Sequence, residues 1–523
     1  MISAVEKIRK FMHEQGIKYL LVNSTNKYLE EYTPLEENSR YFLTDFSGST
    51  GDVLVTPETI ILFVDGRYHI QADLEVNHDV VTVFKLQTGQ TFLDELINKI
   101  PTGETLGVFS KKNSQKRIEY LKEKGICLKL FANDPLDKTD IIIDNSNIIN
   151  VDGVPVEEKI KCLNYDGAVL ITNLEEVSYL FNLRDFSKNY SSKIRGKAVI
   201  LGDRARLLDD IDDFVECYNG KIYVDKSTIN AYDFSLIGSK VEILNDSPIK
   251  LMKAVKTEEE IAHYKEAFKK TDLAVRAIRD FIENNDNISE YDIAEQLEKE
   301  FKRFGAKSLS FKSIVAKDKN SALAHYSKCS KEEVLTNGSL VLIDCGAYYE
   351  QGLATDITRV FVKGEPSELQ KKVYTTVLKM FLNAYNYKHY LSTHNNPLQQ
   401  GTREQFVGYD IDSLARKIYS ENEIEGFDFN HGLGHGIGVS VHEYPPNLSK
   451  NEMAKIEIKD NMCFTIEPGL YNKNHFGIRL ENSCYMDNGK ITSFVHMNYE
   501  KKLINFSLLN EQEKEWLKEF EVL

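Results

Sequence analysis

The chain holds one tryptophan and seven cysteines in 523 residues, and no run of about 18 apolar residues. Without such a run, a helical membrane span is not expected. The cysteines follow no paired spacing, which is the usage of a reducing compartment. Positive charge is also short. Lysine and arginine number 65 against 80 aspartates and glutamates, a formal net charge of -15. That balance disfavours a polyanionic partner such as nucleic acid and is common among cytoplasmic enzymes. The first ten residues, Met1 to Lys10, read as an amphipathic helix and lack the apolar core and small-residue cleavage site of a secretory signal. The expectation is a cytoplasmic protein with no nucleic-acid partner and no membrane attachment. No low-complexity tract is present, and the length allows roughly three domains.

Hydrophobic periodicity organises the chain into α/β units. Residues 3–14 read as a helix, followed by the buried strand Tyr19-Leu20-Leu21-Val22 and a strand over 59–64. Residues 114–125 look helical and 128–131 form a strand, closing an α/β domain near residue 140. A second α/β unit follows: a strand at 168–172, a helix at 174–182, and strands at 198–202 and 221–225. It reads as a diverged duplicate of the first. Thr257-Glu258-Glu259-Glu260 is a capped, acidic helix start. A long helix to about Ile282 and another from Ser289 to Gly305 then precede a strand at 311–316. Strands and hairpins are expected from there to about residue 498, and a helix at 510–519. The predicted domains are 1–140, a short 141–250, and 251–523.

The last third carries the chemistry. Asp344 ends the apolar run Leu340-Val341-Leu342-Ile343, and Asp356 opens Ile357-Thr358-Arg359-Val360-Phe361-Val362. A strand, a glycine-containing turn and a returning strand place both carboxylates side by side. Taken alone, two turn aspartates explain the pair equally well. His431-Gly432-Leu433-Gly434-His435-Gly436-Ile437-Gly438 is more specific, because four glycines in eight residues let the backbone pass close to another group. His442-Glu443 follows. Glu467 lies after Phe464-Thr465-Ile466 and before the turn signal Pro468-Gly469. Glu481 follows Gly477-Ile478-Arg479-Leu480, and Arg479 can pair with a carboxylate. Each glutamate alone suits a surface role nearly as well. Together, four carboxylates and one imidazole in one cavity repel each other unless cations intervene. Hard oxygens with a single nitrogen suit Mn²⁺, Mg²⁺, Fe²⁺, Co²⁺ or Zn²⁺, two ions bridged by carboxylates being the expected arrangement. This points to a hydrolase that activates water. His325, after Ser321-Ala322-Leu323-Ala324, reads as structural on its own.

These residues resemble the creatinase, aminopeptidase P and methionine aminopeptidase group, and most nearly its three-domain Xaa-Pro aminopeptidase branch. The resemblance extends to Phe42–Gly51 and Asp65-Gly66-Arg67-Tyr68 in the first domain and to Glu175–Arg184 in the second. It implies an α/β (α+β) architecture: two creatinase-like N-terminal α/β domains, then a C-terminal pita-bread catalytic domain. It implies that Asp344 binds one ion, Asp356 and Glu481 bridge two, and His435 and Glu467 complete the second site. A water between the ions would attack the scissile carbonyl, with Glu467 passing its proton. His325, His431 and His442 would act on the substrate or the developing oxyanion, and Arg67, His325, His435 and His442 would contact the substrate. The implied activity is hydrolysis of the bond between an N-terminal residue and a following proline, by a homodimer using two divalent ions. Mn²⁺ is the first expectation, with Co²⁺, Fe²⁺ and Zn²⁺ as alternatives. A prolidase restricted to dipeptides is the runner-up, and an inactive binding protein on the same fold is a third reading. Creatinase is disfavoured by the intact ligand set, and methionine aminopeptidase by the two extra domains. Three departures stand out. Asp344 and Asp356 are twelve positions apart, one more than that branch's pattern, and a β-bulge is expected to absorb the extra residue. His435 and His442 are seven apart, shorter than in that branch, and the second domain is short.

Overall fold

Residues 2–87, 89–137, 146–393 and 406–520 are described by a computed structural model. They form two compact units. The first unit comprises Met1–Asn150, Val154–Leu183 and Lys193–Ile249; the second comprises Val151–Gly153, Arg184–Ser192 and Lys250–Leu523. Where the sequence suggests three domains, the first unit holds two separate sheets. The boundary expected at residue 140 lies outside the described residues. Among the described residues, no helix is long and apolar enough to cross a membrane.

The opening helix Ile2–Gln15 buries Ile8 and Met12, which share one face at i and i+4. It leads into Tyr19–Val22, buried along its whole length because strands flank it on both sides. The first sheet runs in the order Val81–Lys85, Ile60–Val64, Asp52–Val55, Tyr19–Val22, Thr105–Phe109, Cys127–Phe131. The second runs Arg204–Leu208, Lys197–Leu201, Ala168–Ile171, Ile222–Asp225, Val241–Leu244. From Ile60–Val64 onward the first sheet goes antiparallel, antiparallel, parallel, parallel. The second sheet repeats that succession of directions strand for strand. Among the described residues it is therefore a topological duplicate with one outer strand fewer.

The second unit opens with two helices, Glu258–Asn284 and Glu290–Arg303, each started by a capping box as its sequence indicates. Its main sheet is antiparallel throughout, ordered Ile314–Lys317, Leu340–Cys345, Ile357–Val362, Glu481–Asp487, Cys463–Ile466, Gly434–Gly436, Glu443–Leu448. Alternation along Leu340–Cys345 divides the core. Leu340 and Leu342 join the cluster that contains Val377 and Phe381, whereas Val341, Ile343 and Cys345 join the one that contains Phe268 and Phe301. The expectation of strands and hairpins through to 498 needs correction. Helices Glu368–Tyr385, Tyr387–Thr393 and Gly408–Glu421 intervene, and they supply much of the apolar surface under one face of the sheet. The strand expected at 311–316 forms at Ile314–Lys317, and the final helix spans Glu511–Leu517.

The expected bulge between Asp344 and Asp356 does not form. Pairing runs without a register shift from Leu340 opposite Val362 to Cys345 opposite Ile357, and continues to Tyr348 opposite Ala354. The loop Tyr349–Leu353 at the tip takes up the remaining length. There Gly352 N–H donates to the Tyr349 carbonyl at 2.9 Å, and Gly352 takes φ of +63°, a conformation that favours glycine. The irregularity sits elsewhere. Between Gly434–Gly436 and Glu443–Leu448 the register jumps from His435 opposite Asn447 to Gly436 opposite Glu443. Tyr444, Pro445 and Pro446 fall in the gap, and neither proline can donate to a ladder.

Candidate metal centre

Strand register assembles the centre. Asp344 lies opposite Thr358 and Thr358 lies opposite Glu481, so three adjacent strands bring these side chains into one row. Asp356 precedes Thr358 by two and points to the same face. Glu467 follows the strand Cys463–Ile466, whose last residue pairs with Asn482, and its N–H donates to the Leu433 carbonyl at 2.8 Å. His435 lies on the next strand, its N–H donating to Thr465 Oγ1 at 3.1 Å. Its Nε2 lies 3.6 Å from Asp356 Oδ2 and 3.6 Å from Glu467 Oε1. Ligand atoms of Asp356, His435 and Glu481 all lie within 4.8 Å of one another. The glycine-rich run fits the same packing: a Cβ on Gly434 would sit 2.0 Å from the Thr465 carbonyl oxygen. The register jump beside His435 re-aims the strand, a common use of such irregularities near active sites.

The carboxylates are buried and crowd one another. Burial, together with the charges of Glu481, Asp344 and Glu467, pushes the Asp356 carboxyl well above its ordinary range. Burial, and then the Asp344 charge, pushes Glu481 up to about 8. Two groups answer part of this. The Thr358 hydroxyl donates to Glu481 Oε2 at 2.7 Å, and the Arg479 guanidinium donates to Asp344 Oδ2. Yet Asp344 Oδ1, Asp356 Oδ1 and Glu481 Oε1 are buried without a hydrogen-bond partner. Three bare carboxylate oxygens beside an imidazole are costly unless a cation meets them. The donor set therefore fits divalent ions that favour oxygen with one nitrogen.

Of the other predicted residues, His442 and His431 connect to this row. His442 lies next to His435, ring centroids 4.4 Å apart and edge to face. His431 Nε2 is 3.0 Å from the Tyr471 hydroxyl, which accepts from Arg479 Nη1 at 2.6 Å, so a polar chain runs from His431 to Asp344. His325 is half-buried on the segment between strands Ile314–Lys317 and Leu340–Cys345. Arg67 belongs to the first unit. It donates to Asp65 Oδ2 at 2.8 Å and to Thr50 Oγ1 at 3.2 Å, and lies over the Tyr68 ring. Thr358 and Tyr471 are absent from the sequence-based site. A threonine in an apolar strand signals only β-propensity, and Tyr471 reveals itself only through Arg479.

Behind His442, Glu443 is buried between Lys253 Nζ at 3.2 Å and Lys256 Nζ at 3.3 Å. Its other oxygen accepts from Val439 N–H at 2.8 Å, closing the turn that carries His442. Burial alone would raise this carboxyl, but the two ammonium groups hold it down at about 2.

Comparison with known proteins agrees with this architecture. Residues 262–488 match the metallopeptidase family M24, the stretch that contains all five ligand candidates. Residues 5–133 match the creatinase/prolidase N-terminal domain. The chain is 28% identical to Xaa-Pro aminopeptidase 1 of Dictyostelium discoideum, covering 99% of this chain and 91% of the relative. It is 27% identical to the probable Xaa-Pro aminopeptidase P of Chaetomium globosum, covering 98% and 93%. In fold it is similar to the X-prolyl aminopeptidase of Caenorhabditis elegans, described as a cytosolic enzyme with a di-nuclear active site. That likeness has a TM-score of 0.83 at 22% identity over 96% of this chain and 90% of the other.

Proposed function

We propose that this chain is a metallo-aminopeptidase that cleaves the bond between an N-terminal residue and a following proline. The observation that carries the reading is the row of three bare, buried carboxylate oxygens beside His435 in a family M24 domain. Full-length likeness to relatives named for Xaa-Pro cleavage supports the substrate class. Asp344, Asp356, His435, Glu467 and Glu481 would hold two divalent ions, Mn²⁺ by preference. Bound there, the ions lower the pKa of a water and polarise the scissile carbonyl.

The remaining work falls to side chains. Glu467 accepts the proton of the attacking water and delivers it to the departing proline nitrogen. His442 and His431 flank the row and donate to the substrate or to the oxygen that gains charge, with His325 in the same role. An X-Pro amide has no N–H, so recognition rests on ring shape and the free amine. A cytoplasmic homodimer is part of this reading, and light scattering tests the dimer.

The deciding assay uses chelated, then metal-loaded, protein on X-Pro dipeptides and X-Pro-Y tripeptides. Tripeptide cleavage should vanish on chelation and return best with Mn²⁺. Cleavage of dipeptides alone would make the protein a prolidase, and a loaded protein inert on both overturns the reading. In the loaded protein, Glu467→Gln should lower kcat by about 10²-fold or more. A variant with wild-type kcat would remove Glu467 from the proton step.

A further inference from the structure

Glu290 is the first residue of the helix Glu290–Arg303, and its side chain is fully buried. Its Oε1 accepts from Lys317 N–H at 2.6 Å and Asn320 Nδ2 at 2.9 Å. Its Oε2 accepts from the Tyr326 hydroxyl at 2.7 Å and Ser330 N–H at 2.9 Å. Four donors and the positive end of a helix offset the desolvation of a buried anion. All four donors come from one segment, two before His325 and two after it.

That segment is also tied to the strands of the metal centre. Asp318 Oδ1 accepts from Leu340 N–H at 2.8 Å, at the head of the strand that ends in Asp344 and Cys345. Ser321 Oγ accepts from Gly477 N–H at 2.9 Å, two residues before Arg479. Glu290 itself lies on a helix outside the sheet, so it fixes the loop from the side that the strand contacts leave open. A carboxylate that served only to seat its own helix would not need donors on both sides of one histidine.

We propose that Glu290 is a positioning residue, a clamp that sets where the His325 imidazole stands relative to the carboxylate row. This rests on the aminopeptidase reading above. Glu290→Gln replaces one acceptor oxygen by an NH₂ that must face two donors. Tyr326→Phe removes one donor and keeps the ring.

The test measures kcat/KM for an X-Pro-Y tripeptide in metal-loaded wild type, Glu290→Gln, Tyr326→Phe, His325→Ala and the two double variants with His325→Ala. Loss of positioning should lower kcat/KM about 10- to 100-fold in Glu290→Gln, and less in Tyr326→Phe. Neither change should lower it further in the His325→Ala background, since both act through that side chain. Hydrogen exchange should quicken in peptides spanning 317–330 and stay unchanged over 340–362. Losses that multiply with His325→Ala, or exchange over 317–330 that does not change, overturn the clamp. If Glu290→Gln fails to fold, Tyr326→Phe decides by the same two readouts. A loaded wild type that cleaves no X-Pro peptide overturns the aminopeptidase reading instead, and the exchange data then show separately whether Glu290 tethers the loop.

Discussion

Asp344 uses one carboxylate oxygen to accept from Arg479 and leaves the other bare. That division is the residue-scale logic of the centre: Arg479 and Thr358 answer part of the anionic row, and the bare oxygens are suited to a cation. Asp272, on the helix Glu258–Asn284, is a useful contrast because no cation is in prospect there. Its Oδ2 accepts from His496 N–H at 2.7 Å, while Oδ1 is buried without a partner. Burial pushes the carboxyl up to about 6 from an ordinary 3.8. The folded protein therefore binds this proton more tightly than the unfolded chain does. Stability from this group is complete below about pH 4 and is lost as pH rises through about 6. Asp272→Asn should flatten that part of the profile and stabilise the protein at pH 8 by on the order of 2 kcal/mol. Urea unfolding at pH 5 and pH 8 checks it; an equal change at both pH values would assign the effect to packing. Four of the five ligand candidates are legible in sequence because a carboxylate borders an apolar run, and His435 because glycines surround it. Thr358 and Tyr471 are not, because their parts depend on which residue stands opposite, and register is not written in a single strand.

At the scale of elements, the sequence signals that name helices are local and those that shape the site are not. The helix Glu368–Tyr385 begins with Ser367 and Gln370 in a capping box, a signal open to inspection but outweighed by the apolar strands on either side. The twelve-residue spacing of Asp344 and Asp356 suggests a bulge in their hairpin, whereas the register jump falls at His435. It is set by prolines in the partner strand and by the close approach of Gly434 to Thr465. The turn from Gly438 to Glu443 depends on a charge cluster that no spacing rule announces. Glu443 sits within ion-pair distance of two buried lysines at once. Glu443→Gln should cost about 3–5 kcal/mol, because it removes a negative charge facing two buried ammonium groups. Denaturant titration measures this, and a loss below about 1 kcal/mol would show that the lysines have other partners adequate to hold them.

At the scale of the whole molecule, alternating helix and strand in the first 250 residues made an α/β organisation readable, and the duplicate was visible as a repeated order of elements. Its extent was not readable, since strand direction and neighbour relations emerge only on folding. The duplication has a consequence for solubility. In the first sheet Ile60–Val64 is covered on its far side by Val81–Lys85. Among the described residues, no strand pairs with the outer side of its counterpart in the second sheet, Arg204–Leu208. A bare strand edge is a template for another chain. Here Arg204 and Arg206 alternate along it, both exposed, and their like charges repel a second copy laid alongside. Replacing both with threonine keeps the strand propensity and removes that repulsion. The double variant should aggregate on concentration or mild heating while its unfolding midpoint scarcely moves. A variant as monodisperse as wild type would mean that something else guards the edge. With one strand fewer in the second sheet, the task of keeping molecules apart falls to a pair of guanidinium groups where the first sheet uses backbone pairing.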